Sequence, residues 1–539
     1  MNKSFYEEFL INNIPRVLTQ LDRDPDSPTF GSCDRNYWHL KIRDFSSAIL
    51  QQISLVLAII SKKQFKENIY YNNPEIINLI HGILNFWRKI QLRDGSFNEY
   101  YPNEHAFPPT AFSLFAVSET YRRLNLQDES IMKAMDRAAV CLSENFELKA
   151  CNQEIASIAA LYSYYLNSDR NWVLKSVKTK LVQVLGLQSK EGWFPEYGGA
   201  DLGYLSVSFD FLAEYFYLSR DDTVIKPLEK ILKFISHFCH PDRTFGGEYG
   251  SRNTIYLMPN GIETMISLEY PLASAVKNFI FNGEAHKNFL NSIDDRYFSH
   301  YILHSFARAL EKEAFSYVKS HPGQSLPCEL EHFKFFSASG LLTFKKKNIY
   351  GIISLKKGGL LKIFKNDNEI FSDYGYRYCQ NKFISVTNWH DNEYKFQAAD
   401  LKNIHVEGFF KCVKMQVPST LKHMVLRILS VIFGKIMINF LKKQMIFKNR
   451  QTKTKFVRNI SINDSEILIE DKIFPAGLLK NFHSAPPYSL RHVASGNFFY
   501  PSELIMYEKI SVKQIKSPLK VTKKIDTEIG KITITDEKL

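Results

Sequence analysis

Three short stretches constrain this chain more than any compositional total: "DGSFNEY" from Asp94, "EGWFPEY" from Glu191, and "DRTFGGEY" from Asp242 with one extra glycine. The first two begin 97 residues apart and the last two 51, so the unit is about 50 residues with one degenerate copy between the first pair. An apolar run of helical spacing precedes each copy, and "TAFSLFAVSETY" and "VSFDFLAEYFYL" follow the first two. A unit of that length is a helical hairpin, and hairpins stacked side by side build either a solenoid or an α/α toroid. In both, the glycine-aromatic-glutamate loops emerge at one rim. Rings and carboxylates there suit sugar rings stacked on their apolar faces.

Beyond about residue 320 the pattern changes period. "HFKFFSASGLLTFKKKNIYGIISLKKGGLLKIFKNDNEIFSDYGY", "VRNISINDSEILIEDKI" and "GKITITDEKL" are alternating and β-branched, as strands of an antiparallel β-sandwich are. Two prolines and a glycine in "SHPGQSLPCEL" break helical periodicity, which predicts a helical domain over 1–325 and a sandwich over 326–539. A chain of 539 residues with 45% hydrophobic content can fill both cores. Its seven cysteines are odd in number and never form CxxC, which argues against a zinc knuckle or a disulfide framework. No phosphate loop or dinucleotide fingerprint occurs, so no cofactor and no metal are expected. Two glutamates in "MNKSFYEEFLINNIPRV" interrupt what a secretion signal would keep apolar, and the expected location is cytoplasmic.

The net charge of +13 is local. Between Glu407 and Asp464 there is no acidic residue and about a dozen Lys and Arg. Within that window the apolar segment 419–450 is punctuated by Lys422, Arg427, Lys435 and Lys442, leaving no uncharged run of the roughly 18 residues a membrane span needs. It reads as a basic amphipathic helix lying peripherally on an anionic membrane, or as a helix packed across the sandwich. No nucleic-acid motif accompanies the charge, so nucleic acid is not expected as a partner.

Asn152 and Gln153 open the otherwise apolar "CNQEIASIAALYSYYL", and Tyr204 enters the next apolar helix about one unit later. An amide near a tyrosine is what β-elimination on a uronic acid requires. The amide hydrogen-bonds the carboxylate that gains charge as the C5 proton leaves, and the phenol acts as base or acid. On the residues alone, Asn152 fits first the N-terminal cap of its own helix. Nearby, "GEYGSRNTIYLMPNG" places Tyr249, Arg252, Asn253 and Tyr256 on a rim loop; Arg252 suits bidentate pairing with a uronate, or a bridge to Glu248. His105 in "PNEHAFPPT" follows the first repeat's glutamate, at the rim or on a surface loop. "CDRNYWHLKIRDF" offers Tyr37, His39 and Arg43 for substrate or for packing, and Arg491-His492 a contact between domains.

The order "NQEIASIAALYSYYL", "EGWFPEYGGADLGY", "GGEYGSRNTIYLMPNGIE" and, in the β-rich half, "RHVASGNFF" resembles the heparinase II/III-like polysaccharide lyases over most of the chain from about residue 80. The resemblance implies an incomplete α/α toroid followed by an antiparallel β-sandwich, and a lyase cleaving an anionic, uronate-containing polysaccharide. It places the family's asparagine at Asn152, its catalytic tyrosine at Tyr204 and its loop glutamate at Glu196. Asp373-Tyr374-Gly375 and His390 in "NWHDNEY" are similar to its sandwich-domain motifs. Two positions depart from the pattern: Gln153 stands where many members have histidine, and "KKGGLLKIF" lacks the histidine that precedes that strand. Either Tyr204 then serves as both base and acid, or His105, His390 or Arg252 substitutes, or the fold binds glycan without cleaving it. Two alternatives to a lyase follow. One is a hydrolase using Glu99, Glu196, Glu248, Asp94 and Asp201. The other is a glycan-binding protein of envelope or capsule assembly at the membrane surface.

Overall fold

The computed structural model describes residues 4–281, 290, 293–316, 324–380, 383–414, 417–434, 436–437, 441, 450–487, 499, 501–504 and 510–539. The longer helices of its first half are α1 (Phe5–Leu18), α2 (Ile53–Lys62), α3 (Pro74–Lys89), α4 (Phe107–Arg123), α5 (Glu129–Glu144) and α6 (Cys151–Ser168). They continue as α7 (Asn171–Gly186), α8 (Leu202–Ser219), α9 (Ile225–Ser236), α10 (Pro259–Ser267), α11 (Pro271–Ile280) and α12 (Leu303–Ser316). Even-numbered helices pack in chain order, each on the next, and α12 returns to α2. Odd-numbered helices back them, with α1 lying on α12. The result is the α/α toroid that the 51-residue spacing implies.

Burial separates the two rings. Helices α4, α8 and α10 are buried nearly all round, whereas α5 and α9 bury one stripe and leave charges on the other side. The repeat loops lock onto the outer ring in the same way twice. Gln91 Nε2 donates to Gly95 O (3.1 Å) and Ala134 O (2.9 Å), and Gln188 Nε2 donates to Gly192 O (3.1 Å) and Pro227 O (3.0 Å). Gly95 (φ 84°) and Gly192 (φ 111°) take backbone angles that side chains disfavour, and a Cβ on either would lie 2.2 Å from a carbonyl oxygen of α5 or α9. In the third copy Arg243 holds the left-handed angle instead.

The second half is antiparallel throughout. One sheet has five strands in the order β1 (His332–Phe336), β2 (Leu341–Lys346), β3 (Ile349–Ser354), β4 (Leu360–Lys365), β5 (Asn368–Asp373). The other contains β6 (Tyr376–Gln380), β7 (Phe383–Val386), β8 (Lys395–Ala398), β9 (Ile404–Lys414) and β10 (Arg450–Ile462). It is completed by β11 (Glu466–Phe474), β12 (Leu479–Ser484), β13 (Ser511–Ile515), β14 (Leu519–Asp526) and β15 (Ile532–Lys538). Its order is β13-β12-β6-β7-β9-β10-β11-β14-β15, with β8 on β9.

The five-stranded sheet is a middle layer. Leu341, Ile352 and Leu360 join the toroid's core, while their chain neighbours Leu342, Ile353 and Leu361 join the core shared with the larger sheet. Strands buried on both faces read as continuous apolar runs, which explains "YGIIS" and "GGLLKIF".

The apolar segment 419–450 forms α13 over Thr420–Phe433, with Ser419 capping its first turn. Helix does not extend over the whole segment: Arg450 already opens β10, and 435, 438–440 and 442–449 lie outside the described residues, as do Arg491, His492 and "RHVASGNF". Helix α13 is not packed across the sandwich, because its apolar side chains are largely exposed. Among the described residues no helix is long and apolar enough to cross a membrane.

Candidate functional site

Helices α4, α6, α8 and α10 are neighbours in the inner ring, each separated from the next by one outer helix, so their N-termini share one rim. The unpaired N–H groups and positive dipole ends of four helices meet there. Each end is managed differently. Asp201 caps α8, accepting from Tyr204 N at 3.2 Å. Ala150 gives α6 no side-chain cap, and the cap comes from the next repeat: Glu196 Oε1 accepts Asn152 N at 2.8 Å. Asn152 therefore does not cap its own helix. It lies in the first turn, and its Nδ2 donates to Glu196 Oε2 at 2.7 Å.

Around that pair the loop segments 196–204 and 248–256 are knitted together. Ser251 Oγ donates to Glu196 O at 3.2 Å, Arg252 N to Asp201 Oδ2 at 2.7 Å, and Thr254 Oγ1 to Asp201 Oδ1. The Arg252 guanidinium lies over the Tyr197 ring, 4.8 Å from its centroid, and Nη2 donates to Tyr197 O at 3.1 Å. Tyr204 meets the Tyr256 ring edge-on at 6.4 Å, and Arg252 is close enough for its charge to couple to the Tyr204 oxygen.

The sandwich closes the rim from above. Lys357, in the turn between β3 and β4, donates to Glu248 O, to Gly250 O at 3.1 Å and to Asn253 Oδ1. All three ammonium protons are spent on this one loop, and burial pulls the group down to about 7. His390 presses on Gly199, where a Cβ would lie 2.5 Å from Nε2. Burial first, then the charges of Arg252, Lys357 and Lys356, lower its imidazole to about 3, so it is neutral at physiological pH.

Burial also pushes the Glu196 carboxyl well above its usual range. Asn152 Oδ1, Gln153 Oε1 and His390 Nε2 are shielded from solvent with no hydrogen-bond partner. Buried orphans are uncommon in a finished fold, and these polar atoms are free to bond a ligand.

No protein-family model and no curated protein matches the sequence. Solved structures do match. Xanthan lyase from Paenibacillus superposes with a TM-score of 0.53 at 10% identity, over 88% of this chain and 46% of that one. Chondroitin AC lyase of Streptomyces coelicolor A3, in complex with chondroitin sulphate, gives 0.54 at 9% identity, over 89% of this chain and 67% of that one. The chain has the fold of the polysaccharide lyases. It spans under half the length of the xanthan lyase.

Within this lyase fold the residues singled out in the sequence divide into groups. Asn152, Glu196, Tyr204, Arg252, Asn253, Tyr256 and His390 converge on the rim through the contacts above. Gln153 follows Asn152 in the same turn. Tyr249 lies deeper: its hydroxyl pairs with His240 Nε2 at 2.7 Å, its ring stacks on Phe238, and its carbonyl accepts Ser354 Oγ. His105 sits on the first repeat's loop, its Nδ1 2.8 Å from Asp94 Oδ2. Arg43 pairs with Asp34 within the early segment.

Two contributors carried no signal of their own. Thr254 is one, and Lys357 is the other, although "KKGG" was noted for the histidine it lacks. Paired glycines after paired lysines mark a tight turn; only the tertiary fold shows which lysine points inward. Among the described residues no group of three or more His, Cys, Asp or Glu is placed to hold a metal ion.

Proposed function

We propose that this chain is a lyase-like protein that cleaves an anionic, uronate-containing polysaccharide by β-elimination. The observation that carries this reading is the Asn152–Glu196 pair, whose amide oxygen is buried and unpartnered at the rim where the next inner helix opens with Tyr204. A neutral Glu196 reverses the pair: its O–H donates to Asn152 Oδ1, and both amide N–H groups turn toward substrate. Oxygen and nitrogen of an amide are distinguished by such networks. Asn152 then stabilises the substrate carboxylate as charge builds on it. Tyr204 takes the C5 proton, the C4–O bond breaks as the 4,5 double bond forms, and the phenol returns a proton to the departing oxygen. Arg252, coupled to that phenol, supports negative charge on its oxygen.

The rim carboxylates do not support hydrolysis. Glu99 pairs with Arg296 at 3.1 Å, Asp94 Oδ2 lies 2.8 Å from His105 Nδ1, and Asp201 is consumed by capping and loop contacts. They hold loops.

The test is absorbance of the 4,5-unsaturated product on a panel of uronate polysaccharides. Tyr204→Phe and Asn152→Ala are expected to lower the rate by about 100-fold or more, with Tyr204→Phe leaving the unfolding midpoint in place. If no substrate gives a product while acidic glycan still binds, the chain is a glycan-binding protein instead.

We also infer that segment 419–450 rests on an anionic membrane surface. Leu421, Met424, Val425, Ile428, Val431 and Ile432 of α13 are 46–71% exposed, on a stretch free of acidic residues. Co-sedimentation with phosphatidylglycerol vesicles but not phosphatidylcholine vesicles is the expected result.

A further inference from the structure

Helix α13 lies on the molecule along one narrow face and is fixed near the rim. Ser430 is buried, and Leu426 and Leu429 half-buried, at the spacing of one helical face, and Met437 is buried beyond the helix end. Six of the exposed apolar side chains, Leu421, Met424, Val425, Ile428, Val431 and Ile432, fall on the opposite side within an arc of about 120°, at the ~100° per residue of an α-helix, and Phe433 is exposed at the helix end. Arg427 borders that stripe, whereas Lys422 stands in the first turn on the side of Leu426 and Leu429. Arg427 also ties the helix to the toroid: its Nη2 donates to Asp44 Oδ1 at 2.8 Å and its Nη1 to Asp44 Oδ2. At the end of the helix Gly434 faces the ring of His105, which a Cβ there would approach to 3.5 Å.

His105 stands just ahead of α4, and α4 packs on α6, whose first turn carries Asn152. Neighbouring helix axes are about 10 Å apart. The end of α13 therefore lies beside the start of α4, the inner helix next to the one that carries the amide pair.

Resting on the membrane reading, we propose that the rim receives an acidic glycan held at a bilayer surface, with α13 as the part that brings the rim to the lipid. Charge points to one occupant of the apolar stripe. Segment 419–450 carries Lys422, Arg427, Lys435, Lys442, Lys443, Lys448 and Arg450 and no acid, a charge that complements anionic lipid headgroups. An apolar stripe on a basic segment is how a helix lies in a headgroup layer. Placing stripe and rim at one end of the molecule turns glycan capture into a two-site contact, in which each site raises the effective concentration at the other.

The experiment measures binding of the full chain to phosphatidylglycerol vesicles, with and without a lipid-coupled uronate oligosaccharide on their surface. A Tyr204→Phe background keeps the glycan intact. The displayed glycan is expected to tighten vesicle binding by tenfold or more. Arg252→Ala should erase that gain while plain vesicles still bind, and Val425→Glu with Ile428→Glu should erase vesicle binding but leave affinity for the free oligosaccharide. Equal binding with and without displayed glycan, although both plain vesicles and free oligosaccharide bind, overturns the placement of the rim at the bilayer. Absence of vesicle binding by the parent overturns the membrane reading and this proposal with it. Absence of elimination products in solution, with the glycan-dependent gain intact, removes only the lyase reading.

Discussion

Two buried polar clusters, one inside the sandwich and one at the toroid rim, use the same kinds of residue and reach opposite ends. In the sandwich, Arg458 Nε and Nη2 donate to Asp471 at 2.6 and 2.8 Å, Nη2 reaches Asp373 at 3.2 Å and Nη1 reaches Gly359 O at 3.0 Å. Lys523 donates to Asp373 at 2.6 Å and Tyr376 to Asp471 at 2.7 Å. Burial pushes the Asp373 carboxyl up, but Arg458 and Lys523 hold it at about 2. Its charges are balanced and its bonds complete, so nothing further is needed there. At the rim, Glu196 faces an amide instead of a guanidinium, and three polar atoms lack partners. A closed network is architecture, whereas an open one of equal burial is poised for a ligand. One turn serves both: Gly359 O accepts Arg458, and Lys357 two residues earlier holds the rim loop.

Breaking the closed network has the largest expected effect on stability. Arg458→Met leaves Asp373 and Asp471 with Lys523 as their remaining cation, and should cost about 3–5 kcal/mol in urea unfolding. Elimination per folded molecule should be unchanged. A mild loss there, beside a severe loss of stability in Tyr204→Phe, would reverse the assignment of the two clusters. Lys357→Met comes next. It strips a donor from three buried acceptors, about 1–3 kcal/mol, and frees the loop carrying Arg252 and Asn253. The expected kinetic result is a raised KM and a kcat/KM about tenfold lower, since loss of positioning acts on binding and transition state together. Lys357→Arg should restore most of it, which a purely packing role would not.

How far the sequence revealed these clusters depends on where their signals lie. The toroid was legible because the repeat loops need glycine against an outer helix at Gly95 and Gly192, a local demand that recurs at fixed spacing. The sandwich was legible through its alternation. Asp373 was read for its motif, yet its partners Arg458 and Lys523 lie 85 and 150 residues away, and no local pattern announces such a pairing. Asp210 and Glu214 sit within the apolar run of α8 and bond Arg308 and Lys312 of α12 in the interior, for the same reason unseen. Asn152 and Tyr204 were picked out by residue type and spacing. That Glu196 caps Asn152's helix follows only from adjacency of successive repeats.

The smallest effect gives the sharpest distinction between the clusters. Glu196 has a folded pKa raised by burial above its unfolded value. Its neutral form therefore contributes stability that is fully present below the ordinary carboxylate value of about 4.3 and is lost as pH rises through the folded value. Glu196→Gln is neutral at every pH. Its carbonyl still accepts Asn152 N, and its amide N–H donates to Asn152 Oδ1 as the protonated acid would. The variant should differ from the parent by less than about 1 kcal/mol at acid pH, and should not show the decline that the parent shows as pH rises. Elimination should survive in Glu196→Gln and fail in Glu196→Leu, which leaves the Asn152 amide unsupported. If Glu196→Gln is inactive and destabilised at acid and neutral pH alike, the rim needs a carboxylate anion, and its network is closed by charge as the sandwich's is.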